Sequence, residues 1–207
     1  PWVYGNPACP EENKKLKQID LMLITHGHGD HIGDALKIAR EFKPTVVAIY
    51  ETSLWLKSKG IENVSAMNKG GTQSAVGVKI TMTNALHSCG IEDEGKIIYG
   101  GEAAGYLITF SNGRVFYHAG DTGIFGDMAL IQELYKPDTA FLPIGDIFTM
   151  SPREAAHACK LLQTDKVVPM HHSTFPVMPG KSMHLKEFLT GSKTKVMDFK
   201  PGETQNI

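Results

Sequence analysis

Residues 26–31 read His-Gly-His-Gly-Asp-His, which puts four potential metal-binding side chains on one short stretch of chain. Imidazole nitrogens and carboxylates suit zinc and other first-row divalent ions. The intervening glycines carry no side chain, so the backbone can turn tightly and aim alternate ligands at one point. Residues 19–25 before it form a mainly apolar run of strand length. After it, Ile32, Ala35, Leu36, Ala39 and Phe42 recur at helical spacing, which predicts a helix over 32–42. The cluster therefore sits on a strand-to-helix turn, where α/β proteins commonly place their sites.

The rest of the chain alternates strand-like and helix-like segments. Residues 45–50 read as a strand entered through Pro44, and 52–58 as a short helix closed by Gly60. Strands are expected at 78–86, 105–110 and 115–119, the last two joined by the hairpin signal Ser111-Asn112-Gly113-Arg114. Helices are expected at 126–135 and 151–163, the second opening with Ser151-Pro152-Arg153-Glu154, a capping box with Pro at the first helical position. Strands at 139–144 and 166–170, a helix at 183–189 and a strand at 195–199 complete the pattern. Strands outnumber helices and the helices come in groups, which favours packed sheets with helices outside over a doubly wound fold.

A length of 207 residues fits one domain spanning 1–207, and a net charge of -1 offers no general attraction to nucleic acid or anionic membranes. No apolar run has the length of a membrane span and no signal peptide is visible. The three cysteines, Cys9, Cys89 and Cys159, lack paired spacing, which points to free thiols in a reducing, cytoplasmic setting. Cys89 is read as a small buried hydrophobe despite standing two residues from His87.

Further ligands stand just past strand ends: His87 after 78–86, Asp121 after 115–119, and His171 with His172 after 166–170. Strand ends converging on one rim are how a sheet scaffold assembles a polar site. There are enough ligands for two divalent ions, zinc foremost, with manganese, nickel or iron as alternatives. One ion would take His26, His28 and His87, the other Asp30, His31 and His171, with Asp121 bridging. Such a pair would hold a hydroxide at neutral pH and polarise a carbonyl or phosphoryl oxygen. His118 is expected to point inward from its strand or to support a ligand. His157 and His184 are expected away from the metal, and Asp34 in solvent or behind a ligand. Asp146 is a candidate for the same rim, while Met150, Phe148 and Phe175 read as pocket or plain core.

Thr25 to His31 (THGHGDH), His87, residues 118–122 (HAGDT) and the final His together resemble the metallo-β-lactamase superfamily of metal-dependent hydrolases. Residues 105–128, 142–156 and 167–176 resemble a branch related to the ascorbate-6-phosphate lactonase group. The resemblance runs from about Asn6 to the C-terminus. It implies an α/β (α+β) four-layer αββα sandwich with the site along one edge, and supports the ligands residue by residue. Members of the branch usually carry further N-terminal strands ahead of the Gly-Asn-Pro seen here at 5–7, so part of one sheet is expected to be missing. They also often have Tyr where this chain has His172, which leaves His172 open as the last ligand in place of His171.

The expected activity is hydrolysis of a small ester, lactone or phosphoester. Asp30 would orient the nucleophile or shuttle its proton, and His172 would donate to the leaving group. The alternatives are a phosphodiesterase or nuclease, a di-iron redox protein, and a non-enzymatic metal-binding module. The lack of a strongly basic tract weighs against a nuclease, and His28, where di-iron reductases usually carry Glu, against an oxygen-reducing di-iron protein. A homo-oligomer acting on a small molecule, with no nucleic-acid or membrane partner, completes the expectation.

Overall fold

The structure, a computed structural model, describes residues 1–205. Strand β1 (Leu21–Leu23) leads through the ligand turn into a single-turn helix α1 (Gly29–Ile32) and then α2 (Ala35–Phe42). Strand β2 (Thr45–Ile49), helix α3 (Tyr50–Ser58) and strand β3 (Val64–Met67) follow. The three strands form one parallel sheet in the order β1-β2-β3. Parallel strands buried on both faces read as continuous apolar runs, and β2 is such a run. Val46 and Ala48 pack outward with Ala35, Ile38 and Leu56 of α2 and α3. Val47 and Ile49 face the other way, against Ile80, Met82 and Tyr106.

Those partners belong to a second sheet. Its strands are β4 (Thr72–Ala75) and β5 (Val78–Asn84), then, after a separate hairpin of β6 (Gly90–Asp93) and β7 (Lys96–Tyr99), β8 (Ala104–Thr109) and β9 (Val115–His118). Helix α4 (Met128–Tyr135), β10 (Thr139–Pro143), helix α5 (Pro152–Leu162), β11 (Lys166–Met170), helix α6 (Ser182–Phe188) and β12 (Lys195–Val196) finish it. The seven strands run β12-β11-β10-β9-β8-β5-β4, parallel from β12 to β9 and antiparallel beyond. On its outer face Tyr117, Ala140, Leu142 and Val167 pack with residues of α4, α5 and α6. The layers are therefore helix, sheet, sheet, helix, the αββα arrangement expected. Tyr106 fastens the two sheets by donating from Oη to the Ile24 carbonyl at 2.7 Å.

The expected helix over 32–42 is instead two helices. Asp34 breaks it: its N–H donates to Pro1 O at 2.9 Å, and its Oδ2 accepts from Val3 and Tyr4 N at 2.5 and 2.8 Å. This corrects the expectation of a solvated Asp34. The strands at 19–25 and 195–199 are shorter than expected, and β3, β4, β6 and β7 were not foreseen. The 111–114 hairpin is present, with Gly113 N donating to Phe110 O at 2.9 Å. At α5, Ser151 Oγ accepts from Glu154 N at 3.3 Å and Glu154 Oε2 accepts from Ser151 N at 2.8 Å, the expected capping box. Ser151→Ala is expected to lower stability by about 1 kcal/mol, read as a lower urea midpoint at unchanged slope. An unchanged midpoint would show that the cap contributes nothing.

Candidate metal centre

Four chain segments meet along one edge of the sandwich. The first is the turn after β1. At Gly27 an added Cβ would lie 2.5 Å from Ile91 Cγ1, so only glycine lets the backbone run between His26 and His28 at that depth. His28 caps α1, whose single turn carries Asp30 and His31. The second and third segments carry His87 and Asp121, and Thr122 ties them together. Its Oγ1 accepts from Leu86 N at 2.9 Å, and Gly123 N donates to Leu86 O at 3.1 Å. Gly120 precedes Asp121 at φ 65, where an added Cβ would meet the Ala104 carbonyl at 2.6 Å. Only glycine makes this turn without strain. The fourth segment is His171, directly after β11 and itself in the left-handed region at φ 53. That conformation is uncommon for a residue with a side chain and tends to mark functional sites.

These segments bring together the seven residues expected as ligands. His26, His28 and His87 form one group and Asp30, His31, Asp121 and His171 another, the ligand atoms within each lying within 4.8 Å of one another. Asp121 Oδ2 sits between them. It is 3.8 Å from His26 Nε2 and from His87 Nε2, 3.2 Å from His31 Nε2 and 3.1 Å from His171 Nε2. Asp30 Oδ2 lies 3.3 Å from both His31 Nε2 and His171 Nε2. His28 Nδ1 faces His87 Nε2 at 3.3 Å.

The electrostatics suit a cation. Burial, followed by the charge of His31, pushes His26 down to about 2, so its imidazole is neutral and free to ligate. His26 Nδ1 is engaged by Thr25 Oγ1 at 3.0 Å, which leaves Nε2 aimed at the cluster, buried and without a hydrogen-bond partner. Such engagement of one ring nitrogen commonly orients the other toward a metal. Burial works against a proton on His31, but the Asp121 and Asp30 carboxylates outweigh it and lift that group to about 9. Asp30 is held well below the usual carboxylate range by His171 and His31. Burial opposes ionisation of Asp121, yet His31 and His171 still draw it down. A carboxylate only 3% exposed, whose charged neighbours are the imidazoles of His31, His171 and His26, draws its positive charge from them. The donor set therefore fits divalent ions.

The other expected residues fall elsewhere. His172 is not in either group and does not line the cavity above them; its Nδ1 lies 3.0 Å from Ser173 Oγ, and Asp198 is its charged neighbour. His171 rather than His172 is the residue at the cluster, and nothing in this geometry supports the leaving-group role expected for His172. His118 accepts from Gly120 N at Nδ1, 3.2 Å, and lies against Phe141, as an inward strand residue. His157 is exposed, and neither it nor His184 joins a ligand group. Cys89 is buried with Ala85 and Ala103. Asp146 is outside the cavity; its Oδ1 accepts from Ile147 N at 2.9 Å and shapes the loop that presents Phe148. Met150 is fully buried core, whereas Phe148 and Phe175 are exposed and line the cavity.

That cavity, about 540 Å³, opens over Asp30, His31, His87 and Asp121. Sequence reasoning missed several of its walls. Trp2 stacks on Phe175 with ring centroids 6.0 Å apart, and Val177 and Met178 continue the surface. Ser88 Oγ lies 3.1 Å from His28 Nε2. All of these stand on loops without periodicity, and only the polar Ser88, next to His87, carried a local signal.

Comparison with known proteins agrees with this geometry. A family model described as the Beta-lactamase superfamily domain matches residues 2–172. A UPF0173 metal-dependent hydrolase of Koribacter versatilis is 54% identical over 204 residues, covering 99% of this chain and 87% of that protein. One of Solibacter usitatus is 55% identical over 203 residues, covering 98% and 88%. Among solved structures, the metallo hydrolase Igni18 of Ignicoccus hospitalis matches with a TM-score of 0.84 at 38% identity, over 96% of this chain and 84% of that one. An isothiocyanate hydrolase from Delia radicum gut bacteria, at 22% identity and a TM-score of 0.70, shares the fold. The chain belongs to the metallo-β-lactamase superfamily and is one of its metal-dependent hydrolases.

Proposed function

We propose that the two ligand groups would hold two divalent ions, zinc foremost, and that the protein cleaves a small ester, lactone or phosphoester. The observation that carries this reading is the position of Asp121 Oδ2, within 3.8 Å of nitrogens from both groups. Ions bound there would polarise the oxygen under attack and lower the pKa of water, supplying a nucleophile at neutral pH. His26, His28 and His87 hold one position; Asp30, His31 and His171 hold the other; Asp121 serves both. Asp30 has a second part. Its side chain is 40% exposed and lines the cavity, so the carboxylate can accept a hydrogen bond from water and orient it.

Chelation tests the reading. Dialysis against EDTA is expected to abolish turnover across a panel of esters, lactones and phosphodiesters, and added zinc or manganese to restore it. Elemental analysis should give two ions per chain in the active form. The far-ultraviolet circular dichroism should survive, because the apolar layers are built from residues outside the ligand set. Full activity in metal-free protein would overturn the proposal.

A further inference from the structure

The cavity that holds the reacting centre also selects what is attached to it. One wall is apolar: Trp2, Phe148, Phe175, Val177 and Met178. Phe148, Phe175 and Val177 are 54%, 43% and 50% exposed, large apolar side chains left facing the opening. Isolated exposed apolar residues are ordinary, but several converging beside a polar cluster mark a binding surface. Trp2 and Phe175 are stacked at an interplanar angle of 20°, which joins two aromatic rings into one part of this wall. The remaining lining groups outside the ligand cluster, Asn6, Ser88 and Thr174, are uncharged.

Charge sharpens the point. Among the described residues no lysine or arginine lines the cavity, and its two carboxylates, Asp30 and Asp121, belong to the ligand cluster. A substrate with a second anionic group, a phosphate or carboxylate remote from the scissile bond, would have to bury it beside aromatic rings without a cationic partner. Such burial is strongly unfavourable.

The wall is also held in place. Trp2 lies on a segment pinned to the junction of α1 and α2 by Asp34, whose Oδ2 accepts from Val3 and Tyr4 N. Phe148 sits on a loop closed by Asp146 N donating to Met150 O at 3.1 Å and Thr149 N donating to Asp146 O at 3.1 Å.

We infer that the substrate is an ester or lactone whose non-reacting part is an uncharged aromatic or aliphatic group seated on the Trp2–Phe175 wall. This rests on the hydrolytic reading above, and it separates that reading from cleavage of sugar phosphates, polyphosphates or nucleic acid.

The test compares two non-hydrolysed amide probes on metal-loaded protein by calorimetry. One is N-methyl-4-phenylbutanamide; the other, N-methylglutaramate, carries a carboxylate in place of the phenyl group. The phenyl probe is expected to bind at least about tenfold tighter, as burial of one aromatic ring would give. Phe175→Ala and Phe148→Ala, both at exposed positions and outside the ligand cluster, should each shrink that ratio while metal content stays at the wild-type level. Equal or tighter binding of the carboxylate probe, no detectable binding of either, or a ratio unmoved in both variants would overturn the inference. Failure of the hydrolytic reading shows differently, as metal-loaded protein that turns over no ester, lactone or phosphoester.

Discussion

Asp121→Asn is expected to lower turnover by more than about a hundredfold and to reduce bound metal toward one ion per chain or fewer. Loss of an outer hydrogen-bonding partner alone typically costs about 10–100-fold in affinity or activity, and a shared ligand should exceed that. Asn keeps the size and shape of the side chain, so packing around this 3% exposed position is preserved. The change removes one of the two carboxylates among the seven ligands. Four imidazole nitrogens within 3.8 Å then face a neutral amide, and little beyond Asp30 would balance the charge of the two proposed cations. Elemental analysis and turnover measured on the same preparation decide the matter. Wild-type metal content with a wild-type rate would show that Asp121 only shapes the turn.

Gly145→Ala should cost on the order of a hundredfold in turnover without replacing a proposed ligand, because misplacing a reacting group by about 1 Å is enough to do so. Gly145 follows the end of β10, and a Cβ there would lie 2.3 Å from the His171 carbonyl and 3.4 Å from His171 Nδ1. The first contact is with backbone, so it cannot be relieved by rotating a side chain. His171 already occupies the left-handed region and has little freedom to yield in place. The imidazole must move away from Asp30 and Asp121. Gly126→Ala is the control: an added Cβ meets nothing within 4 Å, and both rate and metal content should hold. A wild-type rate in Gly145→Ala would mean that the 171 loop adjusts freely.

The ligand turn was legible because its chemistry is local. His26, His28, Asp30 and His31 lie within six residues, and His87, Asp121 and His171 each announce themselves just past a strand end. Strands β2, β5, β8 and β10 were legible for the same local reason, since each is a short run of largely buried residues rich in apolar side chains. The β6–β7 hairpin was not. All four residues of β7 are exposed, so it shows no buried face, and its turn depends on Glu94 and Gly95 at φ 52 and 73. The break between α1 and α2 was hidden because the cause is distant: Asp34 is taken by backbone N–H groups some thirty positions away. The cavity wall was legible only in part: Phe148 and Phe175 stood as pocket or core, and Trp2 gave no signal. Trp2 and Phe175 meet only through the fold, and an isolated aromatic residue on a loop reads as core.

His171 and Asp30, whose side chains meet at 3.3 Å, stand 141 positions apart. Contacts of that span form only after the intervening chain has closed, and they weigh against rapid early assembly. A chain emerging from synthesis exposes the 26–31 stretch long before His171 exists to complete it. Early in its life the protein therefore owns half a binding centre, with ordinary open-chain affinity. On the proposed ligand set, metal capture at full strength would come last, after both sheets have docked, and occupancy of the centre would report that folding is finished.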